Sequence, residues 1–129
     1  MTQKEFIPYE QALELKQLGF DEPCLAFYGG KEEDQKIYFN TIRNASGDYL
    51  PYQTSQDRLS WFGAPLFQQA FRFFREKYNL YMAMLPYKNR FEISIRSGHY
   101  LIDIGSYTTY EEAELACLKK LIEIVKHKQ

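Results

Sequence analysis

A chain of 129 residues with a formal net charge of −1 is long enough to bury a core without metal or disulfide staples, and it exerts no global pull on nucleic acid or an anionic membrane. Its 45% hydrophobic and 26% charged content is ordinary for a globular chain, but eleven Tyr, ten Phe and one Trp make it 17% aromatic, a surplus that suits interfaces and ligand pockets as well as cores. One domain spanning residues 1–129 is expected, and the lack of a long apolar run, a signal peptide or a lipidation motif predicts a cytoplasmic location.

Residues 1–8 form a polar lead. Pro8 to Leu18 read as a first helix, with Ala12, Leu15 and Leu18, joined by Leu13, on its apolar side. Gly19 is placed to cap it, and Phe20 to fold back onto the last turn. Asp21, Glu22 and Pro23 make a turn. Cys24 to Tyr28 is short and apolar, a candidate buried strand. Gly29 to Lys36 is a charged loop, after which Ile37 to Ile42 alternates well enough to pair with the preceding strand as a hairpin. Residues 43–63 carry no clean period. Asn44 to Asp48 is turn chemistry, and Tyr49, Tyr52, Trp61 and Phe62 stand in a Ser-, Gln- and Pro-containing segment of a length that often marks function.

Ala64 to Tyr78 is the stretch around which the rest is expected to organise. Pro65 suits a first helical position. Phe67, Ala70, Phe71, Phe74 and Tyr78 recur at three- and four-residue spacing and so share one face. Gln68, Arg72 and Arg75 fall on a second, polar line, and Phe73 falls outside the apolar stripe. Asn79 can close the helix in a left-handed conformation. Three strands follow: Leu80 to Leu85, ended by Pro86; Phe91 to Arg96, strictly alternating; and Tyr100 to Ile104, reached through a tight turn at Ser97 and Gly98 and ended by Gly105. The last helix opens on a capping box, Thr109 as N-cap and Glu112 three residues on. Glu111, Glu112 and Glu114 load its start with negative charge, and Lys126, His127 and Lys128 load its end, as the helix dipole favours. Leu115, Leu118, Ile122 and Val125 form its buried stripe, broadened by Leu121. The pattern is α-β-β-α-β-β-β-α, an α+β fold with helices packed on an antiparallel sheet.

Little in the chain looks catalytic. Cys24 and Cys117 lie in apolar contexts and read as buried free thiols rather than a disulfide. His99 and His127 lack the acidic or thiol companions a metal site needs, and His99 reads as an exposed turn residue. Gly29 and Gly30 are followed by acids that would repel phosphate. No enzyme activity, cofactor or metal is expected. Local charge says more than the total: residues 64–104 carry six basic against three acidic side chains, and residues 1–63 six against ten. Arginine forks recognise phosphates and carboxylates, and aromatic planes stack on bases. Gln68, Arg72 and Arg75, together with Tyr49, Tyr52 and Trp61, are therefore the candidate ligand-binding set, suited to a small anionic or nucleotide-like ligand. The plain alternative is a solvated, salt-bridged arginine face, with Trp61 and Phe62 stapling the helix start to the core. The rival class is a protein–protein adaptor or inhibitor that works through exposed aromatics such as Phe73, with a homodimer among the candidate assemblies.

Residues 65–125 resemble the double-stranded RNA-binding domain in their order of helix, three strands and helix. That family commonly sets lysines at the entry to its last helix, where this chain has Glu111, Glu112 and Glu114. The likeness therefore implies topology, and nucleic-acid binding is disfavoured because phosphate neutralisation supplies most of the non-specific affinity. A second likeness covers most of the chain. The runs from Tyr9 to Cys24 (YEQALELKQLGFDEPC), Ala64 to Tyr78 (APLFQQAFRFFREKY) and Glu111 to Val125 (EEAELACLKKLIEIV) resemble a family of small uncharacterised proteins from Bacteroides-type gut bacteria and their phages. That resemblance implies a phage accessory role, such as counter-defence by sequestering a nucleotide-derived immune signal. It brings no site residues with it.

Overall fold

The computed structural model describes residues 3–29, 37–39, 62–98 and 100–128. Among these the fold is α+β, with three α-helices and two antiparallel three-stranded sheets in the order α-β-β-β-α-β-β-β-α. The chain divides into two compact units, Met1–Leu66 and Phe67–Gln129.

In the first unit, helix α1 spans Tyr9–Gln17. Pro8 stands at its N-cap in extended conformation, and the Pro8 carbonyl accepts the Ala12 N–H at 2.9 Å. Gly19 ends the helix as expected, at φ 99°, a left-handed conformation that costs glycine little. The Gly19 N–H reaches the Lys16 carbonyl at 3.0 Å and the Phe20 N–H the Leu15 carbonyl at 2.9 Å. This paired closure satisfies two otherwise orphaned carbonyls, and Phe20 and Leu15 are both buried. Strand β1 (Ala26–Tyr28) pairs with β2 (Ile37–Phe39) as the expected hairpin. Residues 40–42 of the anticipated second strand lie outside the described set.

Strand β3 (Phe62–Ala64) pairs on the other side of β1, giving the order β2-β1-β3. This strand is absent from the sequence reading. Three residues are too few to display a period of two, and Gly63 weakens strand propensity. It also moves Pro65. Pro65 is not the first residue of a helix but part of the connection out of β3, where its carbonyl accepts the Ile7 N–H at 2.9 Å. Phe6 and Leu66 form a bridge beside it. The rings of Tyr28 and Phe62 meet Tyr9 edge-on, at 5.4 and 5.2 Å.

The second unit holds helix α2 (Phe67–Tyr78), strands β4 (Leu80–Tyr87), β5 (Arg90–Ser97) and β6 (Tyr100–Tyr107), and helix α3 (Tyr110–Lys128). Its sheet has the order β4-β5-β6. Instead of the one sheet anticipated, the β1–β2 hairpin closes with β3 while the three later strands pair among themselves. Helix α2 packs on β4 and on α3, and α3 packs on β5 and β6, so one face of this sheet is covered. The apolar stripe of α2 is buried as expected at Phe67, Ala70, Phe71 and Phe74, and Asn79 closes the helix at φ 57°.

Several boundaries differ for local reasons. Pro86 does not end β4, which continues to Tyr87 and pairs Pro86 with Phe91. An edge strand tolerates a residue without an N–H. Lys88 and Asn89 both take positive φ, 48° and 63°, as a two-residue hairpin turn requires. Strand β6 runs through Gly105 because a bulge absorbs it: Ile93 pairs with Gly105 and Ser94 with Asp103, leaving Ile104 as the extra residue. Gly105 sits at φ 149°. In α3 the buried side is formed by Ala113, Cys117, Leu118, Leu121, Ile122 and Val125, and Leu115 is only half-buried.

Candidate functional site

The candidate set is described in part. Gln68, Arg72 and Arg75 are all exposed on α2, at spacing that puts them along one side of the helix. Tyr49, Tyr52 and Trp61 lie outside the described residues. On this helix the Lys77 Nζ stands 5.4 Å from the ring centres of both Phe73 and Tyr78. Phe73 is not the exposed aromatic expected of an adaptor. It is 8% exposed and meets Phe74 and Tyr78 edge-on at 5.4 and 5.8 Å.

Apart from Phe39 on β2 and Tyr110 on α3, the large exposed apolar side chains among the described residues stand instead on the second sheet. Alternation along the strands sends Ile93 and Ile95 inward, where they are buried, and sends their neighbours to the opposite face. That outer face carries Tyr81, Ala83, Leu85 and Tyr87 on β4, Arg90, Glu92, Ser94 and Arg96 on β5, and Leu101, Asp103 and Ser106 on β6. Tyr81, Leu85, Tyr87 and Leu101 are 44%, 65%, 56% and 49% exposed. An open sheet face normally turns polar residues to water, so this concentration is unusual.

The polar part of the face has its own order. Arg90 binds β6 next to the bulge: its Nε donates to the Ser106 hydroxyl at 2.8 Å and its Nη2 to the Ser106 carbonyl at 2.9 Å. Beside this clamp is a shallow depression of about 320 Å3 bordered by Glu92, Ile93, Asp103, Gly105 and Ser106. Among the described residues, Glu92, Asp103 and Arg96 make no hydrogen bond or ion pair. The sequence signal for this face was present in the alternation of Phe91 to Arg96. On β4 it was masked, because Met82 and Met84 point inward from a strand that is apolar on both sides.

The acidic entry to α3 is divided by burial. Glu111 and Glu112 are exposed, but Glu114 is 8% exposed and belongs to the buried side. Burial, and then the charge of Glu111, push the Glu114 carboxyl above the usual range. The expected cap is present, the Glu112 N–H donating to Thr109 Oγ1 at 3.1 Å. Cys24 and Cys117 are buried free thiols. Burial foremost, with Glu22 beside Cys24 and Glu114 near Cys117, pushes each up to about 12. A thiol so shifted is a poor nucleophile at neutral pH. No group of three or more His, Cys, Asp or Glu side chains that could hold a metal occurs among the described residues. His127 is exposed at the end of α3, and His99 lies outside the described set. No described helix is long and apolar enough to cross a membrane.

Comparison of the chain with protein-family models, curated proteins and solved structures finds no match.

Proposed function

We propose that this is a non-enzymatic binding protein whose working surface is the outer face of the β4-β5-β6 sheet, and that it acts as an adaptor or inhibitor toward a protein partner. One observation carries the reading: Tyr81, Leu85, Tyr87 and Leu101 stand exposed on a sheet whose other face is already packed by helices. Tyr81, Leu85 and Tyr87 line β4 beside the polar residues of β5, and exposed apolar area set next to polar groups is a mark of protein interfaces. Tyr supplies rigid contact area with a polar tip. The interleaved Arg90, Glu92, Arg96 and Asp103 would fix register and partner choice. The likeness to proteins of gut bacteria and their phages would set this binding in a phage accessory role.

The test is affinity capture with tagged wild type and a Tyr81→Ser/Leu85→Ser variant, from a lysate that also contains the untagged chain. A protein retained by the wild type and lost with the variant, a second copy of the chain included, supports the reading. Identical retained sets from two equally folded baits overturn it.

A second reading rests on the exposed line of Gln68, Arg72 and Arg75 on α2. It assigns the protein a small anionic, nucleotide-like ligand held by the arginine forks.

A further inference from the structure

We infer that the partner of the outer sheet face is a second copy of this chain, docked face to face about a twofold axis that crosses the strands at Ala83 and Ser94. The inference rests on the docking-face reading above and adds the identity and register of the partner.

Apart from the Tyr87–Arg90 pair at the hairpin end, the strand pairing sorts the face into three transverse rows that span all three strands. Tyr81, Arg96 and Leu101 form one, Ala83, Ser94 and Asp103 the next, and Leu85, Glu92 and Ser106 the third. Rows on one face are two residues apart, about 6.7 Å. A twofold axis along the middle row lays the first row of one copy over the third row of the other. Tyr81 then meets Leu85 of the partner subunit, and Arg96 meets Glu92 of the partner subunit. Symmetry makes each of these contacts twice. The middle row meets itself, and its small members Ala83 and Ser94 let the sheets approach to the ordinary packing distance of about 10 Å.

Charge favours this occupant over an acidic or a basic stranger. The face carries Arg90 and Arg96 against Glu92 and Asp103, so any partner of one sign gains at two positions and loses at the other two. A second copy, reversed by the axis, sets opposite charges against each other. Arg90 is already engaged by Ser106, whereas Arg96 and Glu92 have no hydrogen bond or ion pair among the described residues. Like charges oppose each other only at Asp103, on the outer strand of the face. Three strands of eight residues measure about 26 by 14 Å in plan. That is smaller than the ~800 Å2 per partner of a standard interface, so the dimer belongs at the weak, concentration-dependent end.

Sedimentation equilibrium of the intact chain, from about 1 to about 500 μM to bracket an interface of that size, is the test. The mass should rise from monomer toward dimer. Arg96→Glu and Glu92→Arg should each weaken association by about tenfold or more, since each removes a contact made twice. The double variant Arg96→Glu/Glu92→Arg should regain most of the loss, and Asp103→Asn should tighten the dimer. Thermal melts equal to wild type identify the variants to be scored, and Leu85→Lys gives a second route should a charge swap not fold. A wild-type chain that stays monomeric throughout, or a dimer indifferent to all of these changes, overturns the inference. The capture experiment then decides separately whether the face serves a different protein.

Discussion

The hydroxyl of Tyr28 donates a 2.6 Å hydrogen bond to the carbonyl of Ile7, and both residues are buried. Ile7 also donates its N–H to the Pro65 carbonyl. The backbone polar groups of Ile7 are therefore satisfied by two segments far from it in sequence, the end of the central strand of the first sheet and the connection leaving β3. Tyr28→Phe keeps the ring and strands the Ile7 carbonyl. It should cost about 1–3 kcal/mol, the penalty of an unpaired buried acceptor, measured by urea titration.

The same hydroxyl predicts an alkaline effect. Burial raises the Tyr28 phenol from its ordinary 10.0 to about 12, so the fold holds its neutral form. The folded value exceeds the unfolded one, so this contribution to stability is complete below about pH 10 and is lost as pH rises through about 12. Urea titrations of wild type and Tyr28→Phe across that window should show a smaller alkaline decline in the variant.

Thr109→Ala should remove the side-chain cap of α3. The bond from the Glu112 N–H is exposed, so the expected cost is about 1 kcal/mol. A denaturant midpoint equal to wild type would deny the cap any energetic role.

Glu114→Gln should stabilise the protein at neutral pH. Burial and Glu111 raise the carboxyl above its ordinary value, so the fold favours the protonated form, and that contribution fades as pH rises through the folded value. The advantage of the neutral amide in thermal melts should therefore be greatest near pH 7 and shrink as the solution is acidified into the carboxylate range. An advantage that grew on acidification would contradict the assignment.

Arg72→Ala and Arg75→Ala test the anion reading of α2. Both side chains are exposed, so each change should alter stability by no more than about 0.5 kcal/mol. If the line binds nucleotide, each should weaken calorimetric binding by about 1.5–3 kcal/mol, the scale of a charged hydrogen bond. No heat with any cyclic or linear nucleotide, together with lowered melting of the variants, would remove that reading.

Much of the scaffold could be read from the chain itself, because the signals are local. The spacing of Phe67, Ala70, Phe71 and Phe74, the left-handed Asn79, the Gly19 closure and the Thr109 cap each depend on a few neighbouring residues and on backbone sterics, and each is present in the structure. The alternation from Phe91 to Arg96 likewise identifies β5, a strand with a clearly apolar and a clearly polar side. The alpha-plus-beta class follows from these elements and their short connections.

What the tertiary structure decided are the matters that depend on partners remote in sequence. Phe62–Ala64 is a strand only because β1 offers it a free edge, and Pro65 leaves the helix because Ile7 takes its carbonyl. Phe73 is inside, its ring edge-on to Phe74 and Tyr78, and Glu114 is inside on the buried side of α3. The outer sheet face is the same kind of fact. Tyr81 and Leu85 stand in a strand that is apolar on both sides, and the register with β5 and the helices packed on the sheet determine which side meets water. Local pattern specifies what each segment can become. Burial is a property of two surfaces together, and only the folded chain brings the second surface.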